Sequence, residues 1–320
     1  MNVNTMISPE HLDAIAKGEC FVEDRGRPIL GFGLQALFLF TDGYTAERRS
    51  AIADCVEEFL IIAQPHLHWQ IGSIGEKRIQ KNLDTDKPID IRQIFSELTE
   101  KHPCSFTYGS SDDFEGVSIY GLSFIQVPSW EAKFHLSSLT ISLPLLSLNA
   151  DYIGRFHRFA SLLRVSQAYA GVGLIQSLAN TGKYESLIYE VAQRFPAAEV
   201  FSPAMTTESL SLLHGMRSIN WLTAAGNNFV EQLGGVEKII SGLSPQILVY
   251  SYEGGVMFQA GPKPELGNGE KGEVPRYYRE VARALKGVRV EDFKYQFQQG
   301  TNGRPYFDRE ATKRWLARFD

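Results

Sequence analysis

Residues 246–285 constrain the fold of this 320-residue chain more than any other stretch. Two apolar segments rich in β-branched and aromatic residues flank the sequence Glu253-Gly-Gly, and glycine reaches the positive φ angles that a tight turn requires. A polar, glycine-rich loop follows, and Pro275 is suited to open the amphipathic pattern that ends near Gly287. The stretch therefore predicts a β-hairpin, a loop and a helix, without a catalytic constellation.

Strand-like and helix-like patterns alternate along the rest of the chain. Apolar residues with the spacing of an amphipathic helix occur in four further segments, 52–60, 153–163, 184–195 and 311–319. Thr45, Asn149 and Asp308 are placed to cap three of these helices. Strand-forming residues concentrate in 28–40, 66–71, 104–108, 117–127, 134–143, 167–176 and 218–223. The polar residues 72–88 indicate a loop, and the predicted fold class is α+β, with mixed or antiparallel sheets and flanking helices.

The order strand, helix, strands, helix occurs twice along the chain. This repetition predicts two packed α+β halves, residues 1–165 and residues 166–320. The sequence Phe114-Glu-Gly-Val-Ser-Ile-Tyr is similar to Tyr252-Glu-Gly-Gly-Val-Met-Phe, which suggests an internal duplication. Because no Pro- or Ser-rich linker separates the halves, we expect them to share an interface.

Charge is distributed unevenly between these halves. The chain has 32 Lys and Arg against 37 Asp and Glu, a net charge of −5. Residues 1–160 hold 14 basic and 21 acidic residues, a net charge of −7, and the remainder is +2. A nucleic-acid-binding protein presents a basic face, so this distribution argues against that class. An acidic half favours a basic protein partner, although the same charges also suit a solvated surface.

The cysteines and the N-terminus indicate the compartment. Cys20, Cys55 and Cys104 are an odd number at wide spacing, which predicts reduced thiols rather than a disulfide framework. The N-terminal residues lack a basic segment followed by an apolar one, so no signal peptide is expected. No apolar run approaches the roughly 18 residues of a membrane span. We therefore expect a cytoplasmic protein that has no membrane partner.

Several short motifs, in a fixed order over about residues 28–285, resemble one protein family. The last block contains Gly255-Val-Met-Phe-Gln-Ala-Gly-Pro-Lys-Pro, then Leu266-Gly, then Pro275 with Tyr277, Tyr278, Val281 and Ala282. The earlier blocks are Leu37-Phe-Leu-Phe-Thr-Asp-Gly-Tyr with Glu47-Arg-Arg, Leu139-Thr-Ile-Ser-Leu-Pro, Tyr169-Ala-Gly-Val-Gly, and Asn220-Trp-Leu-Thr with Leu233-Gly-Gly. Together they resemble the type VI secretion immunity proteins, and more narrowly those that neutralise VRR-NUC and related restriction-type nuclease effectors.

This resemblance implies a non-enzymatic immunity protein that binds and inhibits a cognate nuclease toxin in the cytoplasm of the producing cell. Inhibition would come from occlusion of the DNA-binding or catalytic cleft of the nuclease. The implied partner is that toxin, with no cofactor, metal, nucleic acid, membrane or small-molecule substrate. The family often has an acidic residue after the Leu-Gly pair of the last block, where this chain has Asn268. We therefore assign to Asn268 no role that the family's acidic residue would have.

Two patterns associated with cofactors or metals occur in unfavourable contexts. Gly31-Phe-Gly-Leu-Gln-Ala matches GxGxxA, but it lies inside a β-rich run and opens no helix whose N-terminus could hold a pyrophosphate. His66 and His68 could share one face of a strand, but no third ligand at metal spacing accompanies them. Neither pattern indicates a cofactor-binding or metal site.

Two alternative functions come from other classes of protein. Asp113 followed by Glu131-Ala-Lys133 partly matches a metal-dependent nuclease, in which the carboxylates hold Mg²⁺ and the lysine orients water. Here the aspartate lies in a Gly/Ser-rich turn without the usual Pro-Asp pair, and the acidic half would repel DNA. The second alternative is an adaptor or structural component of the secretion system.

The segment 110–116 is the predicted partner-binding site. It concentrates three carboxylates, Asp112, Asp113 and Glu115, around Phe114, and its flanks predict a turn between two strands. A projecting acidic turn is complementary to a cleft lined with Lys and Arg, and Phe114 would add an apolar anchor.

Two tryptophans are assigned by their surroundings. Trp130 lies in a polar connection, and packing beneath a loop is favoured for Trp130 more than for Phe114, with an interface anchor as the alternative for both. Trp221 lies in the apolar run 219–222 and is predicted to be a core residue.

Overall fold

The computed structural model describes residues 21–22, 26–177, 184–200, 209–293, 297–298, 300 and 303–320. Within these residues there are twelve strands and nine α-helices. The strands are β1 (Phe21–Val22), β2 (Pro28–Phe40), β3 (Trp69–Ile74), β4 (Lys77–Asn82), β5 (Cys104–Gly109), β6 (Gly121–Gln126), β7 (Ser137–Leu143), β8 (Gln167–Gln176), β9 (Glu199–Val200), β10 (Leu222–Gly226), β11 (Ile247–Tyr252) and β12 (Gly255–Ala260). The helices are α1 (Ala46–Ala63), α2 (Ile91–Glu97), α3 (Ala150–Leu162), α4 (Glu185–Arg194), α5 (Ser209–His214), α6 (Asn227–Gln232), α7 (Val236–Ile240), α8 (Arg276–Ala284) and α9 (Arg309–Leu316).

All the described strands join one sheet. Its order is β11-β12-β10-β8-β2-β7-β6-β5-β3-β4, with β1 paired to β2 and β9 paired to β8. Every neighbouring pair is antiparallel except β8 and β9, which are parallel. A mostly antiparallel sheet with helices packed against it confirms the predicted α+β class.

The longest strand pairing lies at the middle of the sheet. β2 and β8 pair over ten residues, from Leu30 opposite Gln176 to Leu39 opposite Gln167. Gly33 and Gly173 face each other in this ladder, and a Cβ at Gly173 would lie 2.4 Å from the Gln35 amide oxygen. Strands β1 to β7 lie on one side of this seam and β8 to β12 on the other. The predicted division at residues 165 and 166 falls between α3 and β8, and the organisation into two packed halves stays a prediction.

Three helices cover one face of the sheet in the N-terminal half. Phe38 of β2 contacts the α3 rings of Phe156 and Phe159 at 5.1 and 5.9 Å, and Phe95 of α2 contacts Phe124 of β6 at 5.8 Å. The apolar stripe of α1 is buried at Ile52, Cys55, Val56 and Phe59. The predicted caps are confirmed, since Thr45 accepts from the Arg48 amide and Asn149 from the Tyr152 amide. These ring contacts place α2 and α3 on one face of the sheet. The opposite face is formed by the side chains that alternate with Phe38 and Phe124 along the strands.

The C-terminal half contains the predicted hairpin and helix. β11 and β12 pair through a tight turn in which Gly254 has a φ of +116°. Helix α8 follows Pro275, and its buried face is formed by Tyr278, Val281 and Ala282. Asp308 accepts from the Ala311 amide and caps α9, as predicted.

A buried ionic network joins three segments of this half. The carboxylate of Glu199 lies 2.6 Å from the guanidinium of Arg217, both side chains are buried, and the Asn220 amide donates to the same carboxylate at 3.0 Å. Arg318, after α9, donates to the Ser218 hydroxyl at 2.9 Å, and its burial lowers its pKa to about 9. The hydrogen bonds offset the cost of burying these charges, so removal of one member would leave the others uncompensated.

The prediction of a loop over residues 72–88 is wrong in part. Ile74 still belongs to β3, and Lys77–Asn82 form β4, an edge strand of the sheet. Gly75, with a φ of +56°, makes the tight turn between the two strands. An edge strand packs on one neighbour and often carries charged residues, so β4 lacks the apolar alternation by which a strand is recognised.

The described cysteines are free thiols. Cys55 and Cys104 are both buried, and Cys20 lies outside the described residues. Burial raises the pKa of Cys104 to about 12 and that of Cys55 well above its usual value, so both thiols stay protonated at neutral pH. Across the described helices, none is both long enough and apolar enough to cross a membrane.

Candidate functional site

The acidic turn, residues 110–116 between β5 and β6, is a tightly ordered connection. The Ser118 hydroxyl accepts from the amides of Ser110 and Ser111 at 3.1 and 3.2 Å. The Ser111 hydroxyl donates to the Asp113 carbonyl at 2.6 Å. Val117 then donates its amide to the Pro28 carbonyl at 3.1 Å, which fixes the turn beside the start of β2. Side-chain and backbone bonds therefore hold this turn in one conformation.

The three carboxylates of the acidic turn have different surroundings. Asp113 accepts from the amides of Glu115 and Gly116 at 2.9 and 3.1 Å, a local bond pattern typical of aspartate in turns. The Arg27 guanidinium contacts Glu115 and lies 3.6 Å from Asp113. Asp112 is exposed to solvent. With Arg27 included, the group has a net charge of −2, and Asp112 is its most accessible carboxylate.

Phe114 projects from the same turn, with 44% of its surface exposed. The turn therefore brings the four predicted partner-binding residues together, with an aromatic ring among the acids. Arg27 was not expected there, because 88 residues separate it from Glu115 and no local pattern links the two.

The face of the sheet opposite α1, α2 and α3 begins at the acidic turn. We call it the hydroxyl face and define it by Ile71 and Ser73 of β3, Ser105 and Thr107 of β5, Ser123 and Ile125 of β6, and Thr140 of β7. Strand register places these side chains on one side, opposite the face that packs on α1, α2 and α3. Solvent reaches all seven. The Ser73 and Ser105 hydroxyls are 3.0 Å apart, as are those of Thr107 and Ser123.

A small cavity lies where this face meets β2 and β8. Its volume is about 120 Å³, and its lining includes Gln35, Trp69, Thr140 and Ile175. The side-chain oxygen of Gln35 is buried there, and no residue in the described part of the chain forms a hydrogen bond with it. Because ligand pockets usually enclose about 300–1,000 Å³, this cavity is too small to indicate a drug-sized ligand.

At the other end of the hydroxyl face two aromatic side chains are exposed. Trp130 and Phe134 lie in the connection between β6 and β7, and 59% of the Trp130 surface is accessible. The Trp130 ring donates to the Lys101 carbonyl at 3.2 Å, and Ser129 donates its amide to the Glu100 carbonyl at 2.9 Å. Trp130 is thus held on an ordered loop but not packed beneath it, contrary to the favoured interpretation.

Buried Arg49 of α1 holds this end of the sheet from the side that packs on the helices. Its guanidinium donates to the carbonyls of Leu98 and Thr99, both at 2.6 Å, and to the Gln126 side chain at 3.2 Å. Gln126 in turn donates to the His102 carbonyl at 3.0 Å. The loop that supports Trp130 is therefore anchored to the core.

The residues of the nuclease alternative lie apart. Asp113 is in the turn before β6, whereas Glu131 and Lys133 are in the connection after β6. Six residues at about 3.3 Å per residue put the two ends of β6 roughly 17 Å apart. Loops at opposite ends of one strand are not arranged to bring two carboxylates to one Mg²⁺ ion.

The other candidate metal and cofactor residues have structural surroundings. His66 stacks on Tyr120 with ring centroids 4.2 Å apart, and His68 lies 2.8 Å from Asp84. Gly31 and Gly33 lie within β2, which confirms the predicted strand context. In the described part of the chain, no three His, Cys, Asp or Glu side chains form a group that could hold a metal ion.

Asn268 has a structural role in the loop before α8. Its side chain accepts from the Lys271 amide at 3.3 Å and caps a short 3₁₀ helix, Gly269–Lys271. Arg194 also donates to this side chain at 3.4 Å. The neutral amide thus joins this loop to α4.

Comparisons with known proteins extend these observations. A protein-family model described as type VI immunity for VRR-NUC matches residues 51–319. Among solved structures, the T6SS protein PA0821 of Pseudomonas aeruginosa is similar, with a TM-score of 0.86 and 24% sequence identity over 98% of this chain and 92% of that one. At this identity the structural match supports a likeness of fold alone. The search of curated proteins gives no match.

Proposed function

This chain belongs to the type VI immunity proteins for VRR-NUC, and from that premise we propose that it binds and inhibits one cognate nuclease effector. Inhibition comes from covering the DNA-binding or catalytic cleft of the nuclease. The complex forms in the cytoplasm of the producing cell, before the effector can reach the chromosome.

The acidic turn is the observation that supports this function most directly. A nuclease cleft must present Lys and Arg to hold the DNA backbone. The turn offers a net charge of −2, an accessible Asp112 and an exposed Phe114 on a backbone already fixed by hydrogen bonds. A rigid contact loses less conformational entropy on binding than a flexible one, and its charges accelerate encounter.

The role is that of a binding protein rather than an enzyme. Membership of an immunity family favours this role. The placement of Asp113 and Glu131 at opposite ends of β6 also argues against the nuclease alternative. The purified protein should therefore leave DNA intact in the presence of Mg²⁺ or Mn²⁺, and DNA cleavage abolished by Glu131→Ala would establish the enzyme instead.

Binding kinetics with the nuclease encoded by the neighbouring gene test the role of the turn. Asp112→Lys should slow association several-fold, more at low salt, because it reverses a steering charge. Phe114→Ala should mainly speed dissociation, because it removes an apolar anchor. Neither side chain holds the turn together, so folding should change by no more than about 0.5 kcal/mol.

Glu231→Lys is the matched control, since it makes the same change of charge at an exposed position on α6. It should leave both rate constants nearly unchanged if steering is local to the turn. Wild-type rates for both Asp112→Lys and Phe114→Ala would exclude the turn as the contact. Failure of the wild-type protein to bind or inhibit any nuclease effector would refute the proposed function itself.

A further inference from the structure

We propose that the hydroxyl face, together with Trp130 and Phe134 at its far end, is the main docking surface for the nuclease. This inference rests on the proposed function and extends it from one turn to one whole face of the sheet. The acidic turn then forms one edge of the contact, and the aromatic loop forms the opposite edge.

The composition of the face supports an interface core. None of its seven side chains is charged, although solvent reaches every one of them, and exposed Arg78 of the edge strand β4 lies beside the face at its rim, opposite Ser73. When one face of an antiparallel sheet is exposed to water alone, that face usually carries polar and charged residues. Interface cores, by contrast, are depleted in charge and keep their charged residues at the rim. Each pair of hydroxyls across strands shares one hydrogen bond, which offsets part of the cost of covering these groups.

The two ends of the face complement this core. The acidic turn and the aromatic loop lie at opposite ends of β6, roughly 17 Å apart at about 3.3 Å per residue. Trp130 is held by its own hydrogen bond, and its loop is anchored through Arg49. Exposed Ile125 lies on β6 at the same end as this loop. Tryptophan on an ordered loop is the residue type most often found as an energetic anchor of interfaces.

The size of the surface fits a protein partner. Four strands spaced at about 4.8 Å, each about six residues long, give a face of roughly 300 Å². The turn and the aromatic loop enlarge it toward the roughly 800 Å² that each partner contributes to a standard interface. The net charge of −2 at one end selects a partner with a cationic edge, and a nuclease has one because it binds DNA. We therefore assign this face to the nuclease rather than to a second copy of the chain.

Arginine substitutions on the face test the assignment. Ser123→Arg and Thr140→Arg place a long charged side chain at half-exposed positions, the first near the centre of the face and the second at its border with β2. Each should weaken binding to the cognate nuclease by about 30-fold or more, the loss expected when an anchor region is displaced. Trp130→Ala should weaken binding to a similar extent through faster dissociation. Ile61→Arg is the matched control, because Ile61 is 82% exposed on α1, behind the sheet.

Oxidative footprinting of the wild-type protein provides a second measurement that needs no variant to fold. Nuclease binding should protect Phe114, Ile125, Trp130 and Phe134 from hydroxyl radicals. Ile61 and Leu146, both more than 80% exposed, should react equally in the free and bound states. Protection at Ile61 or Leu146 without protection at Ile125 and Trp130 would overturn the assignment.

The remaining outcomes are also decisive. Wild-type affinity for the folded arginine variants would overturn the docking face while leaving the proposed function in place. Protection of Ile125 and Trp130 by higher concentrations of the protein alone would assign the face to a second copy. Absence of any complex with wild-type protein would instead refute the proposed function, and this inference with it.

Discussion

At the residue scale, two tryptophans have opposite roles. Trp221 is 1% exposed, donates to the Gly261 carbonyl at 2.9 Å and stacks on Tyr152 at 6.4 Å. Trp130 also makes one hydrogen bond to a carbonyl, yet most of its ring faces solvent. The apolar run around Trp221 allowed its burial to be predicted, whereas the exposure of Trp130 depends on a loop whose anchor, Arg49, is distant in sequence.

We expect Trp221→Ala to lower the free energy of unfolding by about 3–5 kcal/mol, because it leaves a cavity in the core and removes one of two hydrogen bonds to the Gly261 carbonyl. Trp130→Ala is the control and should change stability by no more than about 0.5 kcal/mol. Urea unfolding followed by circular dichroism measures both. Equal stability of the two variants would contradict the assignment of Trp221 to the core.

At the scale of the elements, local chemistry predicted most helices and hairpins. Cap residues and apolar spacing located α1, α3 and α9, because these signals lie within a few residues of each other. The β11–β12 hairpin was predicted from its glycines. Strand β4 was missed because its charged sequence lacks the apolar alternation of a strand. It is a strand because it pairs with β3. The hydroxyl face was missed too, because Ser and Thr fit both loops and exposed strands.

The hairpin glycine provides the element-scale prediction. Gly254 has a φ of +116°, a conformation that other residues rarely adopt, and a Cβ there would lie 3.3 Å from the Arg164 Cβ. Gly254→Ala should destabilise the protein by about 1–3 kcal/mol through backbone strain. Gly242→Ala is the control, because a Cβ at Gly242 meets nothing within 4 Å. Thermal unfolding of both variants measures this loss of stability. If Gly254→Ala and the control had the same melting temperature, the predicted backbone strain would be contradicted.

At the scale of the whole molecule, the fold class could be predicted but the joining of the halves could not. The pairing of β2 with β8 links segments more than 100 residues apart, and the Glu199–Arg217 network likewise joins distant segments. Nothing in a local pattern specifies such partners. The acidic turn was found because its four residues are contiguous, while the proposed docking face combines four strands and two loops that only the sheet brings together.

The last prediction concerns cooperativity across the seam between β2 and β8. Because one ladder of ten residue pairs joins the halves, we expect a single unfolding transition for residues 1–165 and 166–320. The four tryptophans allow each half to be followed separately, since Trp69 and Trp130 lie in one half and Trp221 and Trp315 in the other. In a Trp69→Phe, Trp130→Phe variant, fluorescence reports the C-terminal half alone while circular dichroism reports the whole chain.

The two signals should have the same urea midpoint in this variant, and likewise in its Trp221→Phe, Trp315→Phe counterpart. Gly173→Val in the wild-type background should crowd Gln35 across the seam, cost about 1–3 kcal/mol and shift the unfolding of both halves together. Gly242→Val is the control for the added branched side chain, because a Cβ at Gly242 meets nothing within 4 Å. Separate midpoints for the two halves would mean that each folds independently and that the seam is only a contact between domains.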